Sequence, residues 1–161
     1  MTNPKTAPAQ KTDPAQKTDP AQKTDPAQKI DPDLIESPYP LQKHIGFYIT
    51  DWREGYARFE LPMEHFLMNR YGILHGGVHS LMCDTAMGYA GAYTGDPQNR
   101  NLAMTLNLSV NFIGQMKGKT LIAEGRRTGG GAKTFFAEAT ITDDLATLSA
   151  RATGVFRLRA S

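Results

Sequence analysis

Hydrophobic and polar residues alternate over several stretches in the second half of the chain. The longest run extends from Met104 to Phe112, where every second residue is apolar, a period typical of a β-strand with one buried face. Similar patterns, bounded by glycines or aspartates, predict further strands over 120–127, 134–142 and 148–158. Because short turns connect these strands, we predict an antiparallel meander.

Two shorter strands are predicted nearer the N-terminus, over 47–50 and 56–61. In the second, apolar residues alternate with arginine and glutamate, which indicates one buried face and one face in water. A short helix over 41–44 precedes these strands, and a helical turn over 63–68 follows them.

One long helix is predicted from about Gly76 to about Tyr93, and it ends before the sequence Gly95-Asp96-Pro97, a typical stop signal. Asp84 is its only strongly charged residue, so the helix is expected to be buried on most sides. No second long helix separates the later strands. The predicted fold class is therefore α+β, with one long central helix packed on an antiparallel β-sheet.

The first 31 residues differ from the rest of the chain. A six-residue unit, Pro-Ala-Gln-Lys-Thr-Asp, recurs with a proline in every copy and without an apolar face. Such a segment buries nothing that could offset the entropy of ordering it. We predict a disordered low-complexity tail over 1–31 and one folded domain over 32–161. A targeting peptide is disfavoured, since acidic residues recur and an apolar run is missing.

Charge, hydrophobic runs and cysteine content indicate which partners and which compartment are compatible with this chain. The formal net charge of the 161-residue chain is only +2, too small to suggest nucleic acid as a partner. No run is long and apolar enough to span a bilayer. The single cysteine, Cys83, cannot form an intrachain disulfide, which favours a reducing, cytoplasmic compartment. Cys83 is expected to be a small core residue rather than a nucleophile.

The start of the long helix carries the candidate chemistry. Gly76 and Gly77 allow a ligand to approach its free N–H groups, which carry partial positive charge. Two turns later Asp84 stands among small and apolar residues, where a carboxylate contributes little to stability. His79 is expected to line a pocket or pack. The four histidines lack a ligand cluster, so we expect no metal and no cofactor.

A longer motif surrounds these residues. Asn69 lies six residues before His75-Gly76-Gly77, and Asp84 lies nine residues after the histidine. With the strands that follow, this pattern resembles the hotdog-fold acyl-CoA thioesterases of the PaaI type, over roughly residues 40–158.

The resemblance implies a hotdog fold, in which the sheet wraps around the helix, and a homodimer that assembles further into a tetramer as a dimer of dimers. It implies active sites at the dimer interface and a substrate that is an acyl-CoA or acyl carrier protein thioester. By the same resemblance, Asp84 is the catalytic carboxylate and the Gly76 N–H polarises the carbonyl. Asn69 and His75 position carbonyl and water, and Thr105 lies near the attacking water.

The chemistry agrees with this assignment, since thioester hydrolysis builds negative charge on the carbonyl oxygen, which fixed N–H groups stabilise. The carboxylate acts either as a general base or as a nucleophile that forms an anhydride. Both routes remain open. Coenzyme A also requires groups that bind phosphates. The candidates for substrate and coenzyme A binding are Gly77, Arg126, Arg127, Gly130, Gly131 and Lys133.

Alternatives remain at this stage. Each candidate residue also has a purely structural interpretation, such as a turn at Asn69, a loop cap at His75 or a hydrogen-bonded acid at Asp84. The domain could also be a non-catalytic module that binds acyl thioesters, or a hotdog acyl-CoA hydratase or dehydratase. The sequence favours the hydrolase, because hydratases need a histidine–carboxylate pair in a different arrangement.

Overall fold

The computed structural model describes residues 30–160, without the side chain of Ala160. The predicted tail over 1–31 lies almost entirely outside these residues. The secondary structure consists of a 3-10 turn at Pro32–Leu34, α1 at Pro40–Ile45, β1 at Tyr48–Arg53, β2 at Tyr56–Pro62, a 3-10 turn at His65–Leu67, α2 at Gly76–Ala92, β3 at Asn101–Phe112, β4 at Thr120–Gly130, β5 at Thr134–Asp143 and β6 at Leu148–Ala160.

The six strands form one antiparallel sheet in the order β1-β2-β4-β5-β6-β3. The predicted α+β class is confirmed, and β4, β5 and β6 do form a meander. The prediction that β3 joins this meander next to β4 is wrong. Because β2 occupies the edge of β4, β3 pairs with β6 instead and becomes an edge strand of the sheet.

Helix α2 packs against one face of this sheet and provides much of the core, as its lack of charge predicted. Glycine is a poor helix former, but two contacts between α2 and the sheet require it. A Cβ at Gly91 would lie 2.1 Å from the Phe135 ring, and one at Gly125 in β4 would lie 2.2 Å from the Ala86 carbonyl oxygen. Glycines on both the helix and the sheet therefore let the two layers approach closely.

Strand β3 contains a β-bulge at Leu106. Thr105 is opposite Phe156 on β6 and Asn107 is opposite Val155, so Leu106 is the extra residue between them. The predicted single apolar face from Met104 to Phe112 is therefore wrong. A bulge shifts the alternation of faces along a strand, and as a result Thr105, before the bulge, lies on the same helix-facing side as Leu108, after it.

Strand β4 is also longer than predicted. Gly129 and Gly130 lie within it, opposite Phe136 and Phe135, rather than in a hairpin turn. Gly130 has a φ of 118°, and a Cβ there would lie 2.4 Å from the Thr134 carbonyl oxygen. Glycine is therefore needed at this position because the chain bends closely back on itself.

Candidate active site

Asp84 lies in the middle of α2, half-buried, and its carboxylate is fixed by β3. Thr105 Oγ1 donates a hydrogen bond of 2.6 Å to Asp84 Oδ1. This contact depends on the bulge at Leu106, since the bulge lets Thr105 and Leu108 both face the helix side of the sheet. Among residues 30–160 the second carboxylate oxygen has no hydrogen-bond donor, so a ligand or water can bind there.

A cleft of about 280 Å³ extends from this carboxylate along the surface of α2; we call it the Asp84 cleft. Its helix side is formed by Thr85, Gly88, Tyr89 and Ala92. The aromatic rings of Tyr39 and Trp52 contribute apolar surface to the rest of the wall, and Glu36 and Asn101 contribute polar groups. The cleft thus combines two carboxylates, Asp84 and Glu36, with aromatic and small apolar side chains that suit contact with an acyl group.

The N-terminus of α2 is arranged differently. His75 is the N-cap residue, and its Nδ1 accepts a hydrogen bond of 2.8 Å from the Gly77 N–H. Within residues 30–160 the Gly76 N–H has no acceptor. Of the two glycine amides at the helix start, that of Gly76 is therefore available to a ligand, and that of Gly77 is already bonded.

The loop before the helix is organised by Asn69. Its Oδ1 accepts hydrogen bonds from the Tyr71 N–H at 2.8 Å and the Ile73 N–H at 3.4 Å. Asn69, His75 and Gly76 together line a surface depression, which we call the Gly76 pocket. The side chain of Asn69 thus shapes the loop, and the loop places it beside the free amide.

The predicted catalytic residues therefore form two groups in one chain. Asp84 and Thr105 line the Asp84 cleft, whereas the other group lines the Gly76 pocket. Gly76 and Asp84 are eight residues apart, which is about 12 Å along the helix axis. Within one chain, the acid and the free amide are too far apart to contact the same carbonyl group.

His79 lines a further surface pocket, to which Gly76 also contributes, in agreement with the prediction that it packs or lines a pocket. Its Nε2 lies 2.7 Å from Ser149 Oγ, which donates to the Gly114 carbonyl oxygen at 2.8 Å. Burial lowers the pKa of His79, and the contact of the ring with the His75 carbonyl opposes this only in part. His79 thus connects the first turn of α2 to β6.

The predicted coenzyme A ligands lie elsewhere. The Arg126 guanidinium stacks on the Tyr56 ring at 4.5 Å, and that of Arg127 lies 5.6 Å from the Phe135 ring and donates to the Gly131 carbonyl oxygen at 3.2 Å. The two arginines lie on opposite faces of β4. None of the predicted residues Arg126, Arg127, Gly130, Gly131 and Lys133 lines the Asp84 cleft or the Gly76 pocket.

The geometry does not support a cysteine nucleophile or a metal site. Cys83 is buried, and burial raises the pKa of its thiol to about 12, so it is a core residue and not a nucleophile. Among residues 30–160, no three His, Cys, Asp or Glu side chains are grouped so that they could hold a metal ion. In the same range no helix is long and apolar enough to cross a membrane.

Sequence reasoning missed the residues that shape the Asp84 cleft. Tyr39, Trp52 and Glu36 come from the N-terminal part of the domain and line the cleft together with α2 and β3. No local motif marks them, because only the tertiary structure brings them next to Asp84.

Known proteins share sequence features and the fold with this chain. The sequence model of the thioesterase superfamily matches residues 71–150, a range that contains Gly76, Asp84 and Thr105. This part of the chain belongs to the thioesterase superfamily. The family supports acyl-thioester hydrolysis as the general activity, and the predicted resemblance to hotdog thioesterases of the PaaI type is confirmed at the level of family and fold. No curated protein matches the chain significantly in sequence.

Solved structures share this fold. A conserved protein of Pseudomonas aeruginosa is 24% identical with a TM-score of 0.68, over 79% of this chain and 97% of that one. A thioesterase-family protein of Silicibacter pomeroyi is 22% identical, with a TM-score of 0.67, over 76% and 91%. The E. coli PaaI protein, from the phenylacetic acid degradation operon, is 22% identical with a TM-score of 0.64, over 73% and 82%. At such identities the similarity shows the fold alone.

Proposed function

We propose that this protein hydrolyses acyl-CoA thioesters at sites that are each formed by two copies of the chain. The observation that carries the proposal is the separation on α2 of a free amide, at Gly76, from a fixed carboxylate, at Asp84. Hydrolysis of one thioester needs both groups at the same carbonyl. Two copies that pack with their helices side by side in opposite directions would supply one group each.

Strand β3 offers a surface for this association. It lies at the edge of the sheet, and the apolar side chains of Leu102, Met104 and Leu106 are each about half exposed. An edge strand with apolar side chains readily pairs with another strand. A twofold symmetric pairing of β3 with β3 would give a homodimer, and we propose a tetramer as a dimer of such dimers.

In the proposed reaction, the thioester carbonyl oxygen accepts a hydrogen bond from the Gly76 N–H of one copy. Asp84 of the second copy removes a proton from water, and the water oxygen bonds to the carbonyl carbon. Negative charge on the carbonyl oxygen is stabilised by the amide and by the positive end of the helix. The carbon–sulfur bond then breaks, and the thiolate of coenzyme A takes up the proton.

A covalent route needs the same groups. There Asp84 attacks the carbonyl carbon, the thiolate leaves, and water hydrolyses the resulting anhydride. In both routes Thr105 holds the carboxylate in position. An acyl carrier protein is the second thiol carrier that we propose, and the basic residues around 126–133 would bind its phosphate or the phosphates of coenzyme A. The compartment is proposed to be reducing and cytoplasmic, because the single cysteine is a buried thiol.

The contacts of the two histidines support a hydratase less well than a hydrolase. The His75 ring bonds to the Gly77 N–H, and the His79 ring contacts Ser149 and the His75 carbonyl. The hydrogen-bond partner of the Asp84 carboxylate is Thr105. In this site the acid is thus paired with a hydroxyl, an arrangement that suits activation of water for hydrolysis.

The first test is release of free thiol from a panel of acyl-CoAs by wild type and variants. We expect Asp84→Asn to lower kcat by at least about a hundredfold, since it removes the base or nucleophile. Gly76→Pro removes the N–H at the first helical position, where proline is tolerated. Gly76→Ala is its matched control, because alanine keeps the N–H. We expect the proline variant to be much slower than the alanine variant.

Each variant should be shown to fold, by circular dichroism and thermal unfolding. Turnover close to wild type in folded Asp84→Asn would contradict the assignment of the acid. Equal rates for Gly76→Pro and Gly76→Ala would contradict the role of the amide. A wild-type protein that binds acyl-CoA and releases no thiol would identify the non-catalytic binding module instead.

A further inference from the structure

The segment that precedes α1 borders the Asp84 cleft. Glu36 belongs to this segment and lines the cleft. Arg100, which precedes β3, fixes the segment at two points. Its Nη1 lies 2.8 Å from Glu36 Oε1, and its Nη2 donates to the Asp33 carbonyl oxygen at 3.1 Å. The side chain of Glu36 is therefore held in a defined place.

Two independent measures place this end far from the reacting carboxylate. On the helix, the cleft extends from Asp84 to Ala92, which is eight residues or about 12 Å. On β3 it extends from Thr105 to Asn101, which is four residues or about 13 Å. Glu36 shares a second, outer cavity with Ala92 and Asn101. Glu36 thus lies at the end of the cleft opposite to Asp84.

Glu36 also separates the cleft from neighbouring space. A groove of about 140 Å³ lies on its other side and shares Glu36, Trp52 and Tyr89 with the cleft. Trp52 cannot easily move, since its Nε1 donates to the Tyr89 carbonyl oxygen at 2.9 Å and its ring packs on Tyr89 and Tyr93. Of the residues shared by the two spaces, Glu36 is thus the one that is held by an ion pair rather than by ring packing.

We propose that Glu36, held by Arg100, sets the maximum length of the acyl group that this protein accepts. The inference rests on the proposed function and names its substrate class. The cleft is about 12 Å long on the helix side, and an extended chain advances about 1.2 Å per bond, which suits an acyl group of about eight to ten carbons. Medium-chain and aryl acyl groups fit this space, and longer chains meet Glu36.

The variant that tests this is Glu36→Ala, which removes the wall and opens the cleft towards the adjoining groove. Glu36→Gln is the volume-matched variant, because it loses the charge and keeps the size. Glu60→Ala is the control for the loss of an ion pair, since Glu60 pairs with Arg58 at 2.9 Å and does not line the cleft. Thermal unfolding establishes that all three fold.

The first readout is kcat/KM for straight-chain acyl-CoAs. We expect the ratio of the value for about fourteen carbons to that for about eight carbons to rise at least about tenfold in Glu36→Ala. The ratio should stay within about threefold of wild type in Glu36→Gln and in Glu60→Ala. An unchanged ratio in folded Glu36→Ala overturns the proposal.

The second readout does not depend on hydrolysis. Non-hydrolysable S-alkyl-CoA thioethers of the same lengths are titrated into wild type and Glu36→Ala by calorimetry. A length limit in wild type that moves to longer chains in Glu36→Ala supports the role of Glu36, even if wild type releases no thiol and the proposed function fails. Identical length dependence in both proteins, or no thioether binding by wild type, overturns it.

Discussion

At Asp84, a single hydrogen bond connects the helix to the edge strand of the sheet. Thr105 Oγ1 donates to Asp84 Oδ1 at 2.6 Å, and the bulge at Leu106 makes this possible. A carboxylate that accepts such a bond is held in one orientation, and Asp84 lines the cleft in that orientation. Thr105 thus acts on the reaction through the acid and is a positioning residue.

We predict that Thr105→Val lowers kcat by roughly tenfold to a hundredfold, because a hydrogen bond to a charged group contributes about 1.5 to 3 kcal/mol. Valine has the shape of threonine and lacks the hydroxyl. Thr105→Ser keeps the hydroxyl and should restore most of the rate. The measurement is kcat at saturating acyl-CoA for both variants. A folded valine variant within about twofold of wild type would remove Thr105 from the mechanism.

At the scale of elements, Asp143 at the end of β5 joins two loops. Its Oδ2 accepts hydrogen bonds from the N–H groups of Lys117 and Gly118 at 2.7 and 2.8 Å, before β4. Its Oδ1 accepts from those of Leu145 and Thr147 at 3.0 and 2.7 Å, in the β5–β6 turn. Burial alone would raise the pKa of Asp143, but these N–H groups outweigh it and hold the pKa well below its usual range.

We predict that Asp143→Asn lowers the free energy of unfolding by about 3 kcal/mol near neutral pH, because its amide group would face N–H donors and leave them unpaired. The control is Asp144→Asn, which alters an exposed carboxylate with two backbone bonds, at Lys119 and Thr120, and should cost about 1 kcal/mol. Urea denaturation measures both.

The loss of stability caused by Asp143→Asn should depend on pH. The pKa of Asp143 is lower in the folded chain than its unfolded value of about 3.9, so its contribution is present above that value and is lost as the pH falls below it. The difference between wild type and Asp143→Asn should therefore shrink between about pH 5 and about pH 2. A difference independent of pH would show that the charge of Asp143 does not matter.

At the scale of the whole molecule, the arrangement of the sheet determines where a second copy can bind. Strand β3 is at one edge, with exposed apolar side chains, and it also carries Thr105. Pairing at this edge would bring the Asp84 cleft of one copy towards the helix start of the other. The proposed site thus depends on association as well as on the fold.

Complementation tests this directly. Chains carrying Asp84→Asn and chains carrying Gly76→Pro are co-expressed with different tags, and mixed dimers are purified through both. If each site takes Gly76 from one copy and Asp84 from the other, one of the two sites is intact, and we predict about half the wild-type rate per dimer. Mixed dimers as inactive as the parent variants would show that both groups act within one chain.

Much of the fold and part of the candidate site could be predicted from the sequence. The helix bounds, predicted from about Gly76 to about Tyr93, agree with the observed Gly76–Ala92. The N-terminus of this helix and its lone acid were recognisable because capping, glycine content and hydrophobic periodicity are local properties. Glu36 and Arg100 were not recognisable, since nothing local connects residues 64 positions apart.

The sequence by itself determined the elements of this protein and the chemical groups on its central helix, because both depend on residues close together in the chain. The tertiary structure decided that β3 lies at the sheet edge, that a bulge lets Thr105 and Leu108 share the helix side of β3, and that Glu36 lines the cleft. These features arise from pairing between distant segments. Such pairing depends on how the strands share hydrogen bonds and how the two layers pack, and not on the pattern within any one segment.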